Sequence, residues 1–84
     1  MRTMKVRLLF FAVLRDIAGT DARELALADG ATARDVWQWM RESYAPLADY
    51  AQPPLIAVNE AYAAPETVLR DGDEVAFIPP VAGG

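Results

Sequence analysis

The stretch Met4-Lys5-Val6-Arg7-Leu8-Leu9-Phe10-Phe11-Ala12-Val13 alternates with period two, the spacing at which successive side chains of a β-strand point to opposite faces. Val6, Leu8 and Phe10 fall on one face; Lys5, Arg7, Leu9, Phe11 and Val13 fall on the other. The first set is purely apolar and needs a cover. The second mixes two cations with large apolar groups, so it does not read as an ordinary solvated face.

Working outward, Leu14 to Ala18 has room for about one helical turn, and Gly19 suits the left-handed position that closes it. Arg23 to Ala28 alternates again, with Leu25 and Leu27 inward, and Asp29-Gly30 makes the next turn. Thr32 is an N-cap residue, followed at the third helical position by Asp35, which favours the positive end of a helix running to about Tyr44. Ala33, Val36, Trp37, Met40 and Tyr44 share one stripe at helical spacing, which reads as core, while Trp39 lies off it and is predicted to be half exposed. Pro46 and Pro53-Pro54 bracket an irregular connection. Leu55 to Asn59 is a strand with Ile56 and Val58 inward, followed by a turn around Asn59 and a short extended stretch near Tyr62. Asp71-Gly72-Asp73 is a turn, and Glu74 to Pro79 is the last strand, with Val75 and Phe77 on one face and Glu74, Ala76 and Ile78 on the other. One amphipathic helix covering one face of a mixed sheet buries the inward set economically. The predicted class is therefore α+β, in the ubiquitin-like β-grasp arrangement, as a single domain over residues 1–84 with 79–84 as a tail.

The composition narrows the chemistry. The 84 residues hold no cysteine and no histidine, which excludes a disulfide framework, a Cys/His zinc site, a thiol nucleophile and a Ser-His-Asp triad. Lys5 is the single lysine, so Schiff-base chemistry has almost nothing to work with. A net charge of −4 disfavours nucleic acid and anionic membranes and favours a partner with a basic face. The uncharged run Leu8 to Leu14 is far shorter than the roughly 18–20 residues that span a bilayer. Arg2, Lys5 and Arg7 ahead of Leu8 to Phe11 imitate a signal peptide, but Arg15-Asp16 stands where a small-residue cleavage site belongs, so a cytoplasmic location is expected. Asp71, Asp73 and Glu74 read as turn and strand-edge acids rather than a cation loop, which needs more oxygens at set spacing. No metal is expected, and no bound cofactor.

Two features point to function. Leu9 and Phe11 lie on the uncovered face, and Ile78 has matching parity; in a β-grasp the first and last strands are neighbours, so these three form an apolar patch of the kind that marks an interface. Arg15 adds a charge at its rim. The sequence then ends Pro79-Pro80-Val81-Ala82-Gly83-Gly84. The prolines end the strand and hold an extended stem; six residues reach roughly 20 Å; the glycines carry no side chain to obstruct a narrow channel. The reactive group at the tip is the α-carboxylate of Gly84, inert as an acyl donor until it is activated.

The string Asp71-Gly72-Asp73-Glu74-Val75-Ala76-Phe77-Ile78-Pro79-Pro80-Val81-Ala82-Gly83-Gly84, with Phe10-Phe11-Ala12 near the start, resembles the MoaD family, the small sulfur-carrier subunits of molybdopterin synthase. The likeness runs from Lys5 to Gly84, and the Pro-Pro-Val-x-Gly-Gly ending is its specific part. It implies that Gly84 is the reacting residue. An adenylating enzyme of the ubiquitin-activator type converts its carboxylate to an acyl-adenylate with ATP, and a sulfur donor of desulfurase or rhodanese type replaces AMP to leave a thiocarboxylate. The tail, Pro79 to Gly83, then enters a MoaE-like large subunit, where sulfur passes to cyclic pyranopterin monophosphate. The resemblance further implies a carrier whose catalytic side chains lie on the large subunit, a heterotetramer, and partner contacts at Phe11 and Ile78, although family members often have an aromatic where Ile78 stands. Three other readings share parts of this pattern: a sulfur carrier for thiamine thiazole synthesis, a ubiquitin-like protein modifier, and an interaction module whose tail does no chemistry.

Overall fold

A computed structural model describes residues 2–50 and 54–78. In chain order the elements are β1 (Thr3–Phe10), α1 (Val13–Ala18), β2 (Ala22–Ala28), α2 (Ala33–Ser43), a 3-10 turn (Ala45–Asp49), β3 (Leu55–Val58), β4 (Ala61–Tyr62) and β5 (Glu74–Ile78). The strands form one sheet in the order β2-β1-β5-β3-β4. β1 and β5 run parallel, with Leu8 beside Val75 and Phe10 beside Phe77, and the other pairings are antiparallel. The expected β-grasp architecture is present.

The alternation of β1 sorts its side chains as its spacing demands. Met4, Val6, Leu8 and Phe10 are buried, together with Val75 and Phe77 of β5 and Ile56 of β3. α2 covers them with Ala33, Val36, Trp37 and Met40, the stripe read from the sequence, while Tyr44 at its end is half-buried. The Trp37 and Phe77 rings lie 5.7 Å apart, and Phe10 meets Tyr44 edge-on at 6.2 Å. No buried side chain among the described residues is polar or charged, so burial here is almost purely apolar transfer at about 25 cal/mol per Å². Thr32 and Asp35 form a capping box: the Asp35 N–H donates to the Thr32 hydroxyl, and the Thr32 N–H donates to Asp35 Oδ2 at 2.8 Å. That satisfies two donors that the first turn of a helix leaves open.

Three expectations need correction. The first strand ends at Phe10, and Val13 belongs to α1. The cause is Ala12, at φ 52° and ψ −127°, the conformation of the first central residue in a type II′ turn. The Leu14 N–H donates to the Phe11 carbonyl at 3.0 Å to close that turn. The connection after α2 is not irregular throughout: Pro46 sits in the first turn of the 3-10 segment Ala45–Asp49, whose Leu47 is buried. β3 stops at Val58, because Asn59 and Glu60 both have positive φ, 51° and 72°, as a two-residue hairpin turn requires. The predicted last residue of β5, Pro79, lies outside the described residues. Gly19 does close α1, at φ 76°, with its N–H donating to the Arg15 carbonyl.

Candidate functional site

The face of the sheet opposite α2 is built by residues of the other parity, and pairing register arranges them in rows. One row is charged: Arg7 lies between Glu24 of β2 and Glu74 of β5. The next is apolar, running Ala22, Leu9, Ala76, Ala57 and Tyr62 across all five strands. Beyond it Ile78 pairs with Leu55, and Phe11 follows the last paired residue of β1. The open face therefore has a charged end and an apolar end, and β5 delivers the chain out of the sheet at the apolar end.

Leu9 and Ile78 are half-buried and Phe11 is 47% exposed, so the structure brings together the three residues that parity picked out. Two more complete the patch. Leu55 is 59% and Tyr62 76% exposed, and the sequence reading assigns neither to the patch. Leu55 had the signal, since it is out of phase with Ile56 and Val58; which strand it lies against is not written in the local pattern. Ala57 shares this face yet is buried, because a short side chain between Ala76 and Tyr62 is shielded by its row. Trp39 does not fold over the patch. It is half-buried on the helix side, edge-on to Tyr44 at 6.0 Å and with the Arg23 guanidinium 5.1 Å above its ring.

Arg15 stands where a rim charge was expected. With Arg7, Leu9, Phe11, Ala12 and Asp21 it lines a shallow depression beside the patch. Its Nε is 3.7 Å from Asp21 Oδ1, and the two side chains are 58% and 82% exposed, a pair that contributes little and exchanges readily. The acids of the Asp71-Gly72-Asp73 turn are committed to backbone and side-chain donors. Asp71 Oδ1 accepts the Lys5 N–H at 2.8 Å, and Asp73 accepts the Arg70 N–H and the Asn59 amide. No cluster of three metal-ligating side chains occurs among the described residues. The tail residues Pro79, Pro80, Val81, Ala82, Gly83 and Gly84 lie outside the described residues, so the site seen here is the surface from which they leave.

The pattern of the ThiS family matches residues 8–84, the patch and the tail included. The chain belongs to the ThiS family. Within it, similarity is high to two curated proteins named molybdopterin synthase sulfur carrier subunit. The one from Escherichia coli is 43% identical, with 94% of this chain and 99% of that protein covered. The one from Mycobacterium tuberculosis is 39% identical, with 96% and 99% covered. Among solved structures, a putative molybdopterin converting factor subunit 1 from Pyrococcus furiosus superposes with a TM-score of 0.83 at 31% identity, over 93% of this chain and 99% of that one. This ThiS-family domain has no described helix long and apolar enough to cross a membrane.

Proposed function

We propose that this chain is the sulfur carrier subunit of a molybdopterin synthase, with Gly84 as the residue that carries sulfur. The observation that supports the reading most directly is topological. β5 runs parallel to β1 and ends at Ile78, inside the patch formed by Leu9, Phe11, Leu55 and Tyr62. A partner docked on that patch would meet the chain where it leaves β5, and the six residues that follow span at most about 20 Å. The names of the similar curated proteins point the same way.

In this reading an adenylating enzyme of the ubiquitin-activator type joins the Gly84 carboxylate to AMP and releases pyrophosphate from ATP. The persulfide of a sulfur donor of desulfurase or rhodanese type then attacks the acyl carbon, its carbon–sulfur bond forming as the bond to AMP breaks, and a thiol reductant cleaves the resulting acyl disulfide to leave the thiocarboxylate on Gly84. The thiocarboxylate tail enters a large synthase subunit and gives its sulfur to cyclic pyranopterin monophosphate, and the carboxylate returns. A dithiolene holds two sulfurs, so two loaded tails are consumed for each product. Two small subunits at the ends of a large-subunit dimer form the heterotetramer, in the cytoplasm, with ATP used by the activating enzyme and no cofactor held by this chain. Catalytic side chains belong to the large subunit, in keeping with a chain that has no Cys, no His and one Lys.

The test is intact mass of the protein after incubation with ATP, activating enzyme and sulfur donor. The expected product is heavier by the difference between sulfur and oxygen, with fragmentation placing it on Gly84, and it converts the pyranopterin precursor when the large subunit is added. Conversion only in a thiazole-forming system points to the other sulfur pathway, isopeptide linkage to lysines points to a protein modifier, and an unchanged mass leaves an interaction module.

A further inference from the structure

The other side of the sheet carries a second concave feature. A cleft of about 260 Å³ opens between α2 and the start of β3. Its walls are Trp37, Tyr50, Ile56 and Pro65, and its polar rim is Arg34, Gln38 and Arg41. The three rim residues stand four and then three positions apart on one helix, hence on one face. The whole chain has a net charge of −4 and eight cations, and two of those eight converge here.

The Arg34 guanidinium is the accessible one; the Arg41 Nε is buried, so only the outer nitrogens of Arg41 can face a ligand. Arg41 donates from Nη2 to the Ala48 carbonyl at 3.0 Å, while its buried Nε has no hydrogen-bond partner among the described residues. Arg34 meets Glu66 Oε1 at 3.3 Å, with the two side chains 66% and 68% exposed, so an incoming anion displaces Glu66 at little cost. Gln38 is held by Glu42 Oε1 at 3.4 Å, a long contact. The floor is aromatic, with the Trp37 and Tyr50 rings 6.0 Å apart and tilted by 59°.

We propose that this cleft binds a small carboxylate with a planar apolar body, its oxygens toward Arg34 and Arg41 and its ring against Trp37 and Tyr50. The planar fork of an arginine matches a carboxylate, and the aromatic walls supply area for a flat body. At about 260 Å³ the cleft lies just below the roughly 300–1,000 Å³ of pockets for drug-sized ligands, which favours a single substituted ring over a nucleotide.

Benzoate, titrated into the full chain and followed by NMR, is the probe. Saturable shifts are expected at the Trp37 indole and the Gln38 side-chain amide, with a Kd on the order of 1 mM for so small a ligand. Benzyl alcohol, the uncharged counterpart, is expected to bind about tenfold more weakly. Glu66→Gln removes a competitor and tightens benzoate about twofold, whereas Arg34→Gln weakens it about threefold or more, magnitudes typical of exposed charge pairs. Arg41→Gln also loses the contact to Ala48, so Arg34→Gln, at an exposed side chain, is the deciding variant. Equal binding of benzyl alcohol, no saturable shift at Trp37, or an unchanged Kd in Arg34→Gln overturns the assignment.

Discussion

Two pairs of identical neighbours divide this molecule. Leu8 and Phe10 are 0% and 2% exposed, while Leu9 is half-buried and Phe11 is 47% exposed. Residue type is the same within each pair; Leu8 and Leu9 differ in parity alone, and Phe11 stands one residue past the end of β1. On one face the side chains meet α2 and supply stability. On the other, equally apolar side chains stay half-buried or exposed, and they gather where β5 ends. The lesson is that hydrophobicity does not distinguish a buried face from an open one in a small domain: the position of the single large helix does.

The largest effect that separates the faces is expected at Phe10. Phe10→Ala should lose about 3–5 kcal/mol by the usual cost of an emptied aromatic core site, a large share of the roughly 5–15 kcal/mol that holds a domain folded. Phe11→Ala should lose less than about 1 kcal/mol. Thermal melts followed by circular dichroism of the two variants side by side measure the gap, and equal losses would break the comparison. Next comes recognition. Phe11→Asp is expected to weaken binding to the large synthase subunit about ten- to hundredfold, the range of an interface anchor, with the melting temperature nearly unchanged; calorimetric titration measures it. A collapse of the fold instead would make Phe11 a core residue and invert the assignment of faces.

Two smaller effects sharpen the picture. Thr32→Ala removes the cap of the helix that covers the inner face and should cost about 1 kcal/mol without altering partner affinity. Glu60→Gly relieves a positive φ of 72° in the β3–β4 hairpin, next to Tyr62. Urea titration should show a gain of about 0.5–1 kcal/mol, again with partner binding intact. A change in affinity with either variant would mean that the two faces are coupled.

Much of this was legible in the residues. The inward sets of β1, α2 and β5 follow from periods of 2 and 3.6, and the cap at Thr32 and the stop at Gly19 follow from single side chains. The outward set Leu9, Phe11 and Ile78 follows from the same alternation. The misses share a cause. Ala12 adopts a turn conformation that glycine favours, so nothing local announced the end of β1. The 3-10 turn around Leu47 is held by burial rather than by a long periodic pattern.

The sequence by itself determined which residues turn inward along each element, where the main helix begins, and that the chain carries no Cys, no His and a single Lys, because these depend on spacing and on side-chain chemistry within a few residues. Only the tertiary structure decided that Leu55 and Tyr62 join the patch, that Arg7 lies between two acids, and that Arg34 and Arg41 flank an aromatic cleft. Strand order and register bring together residues far apart in the chain, and a period-two pattern records which face a side chain takes but not which strand lies beside it.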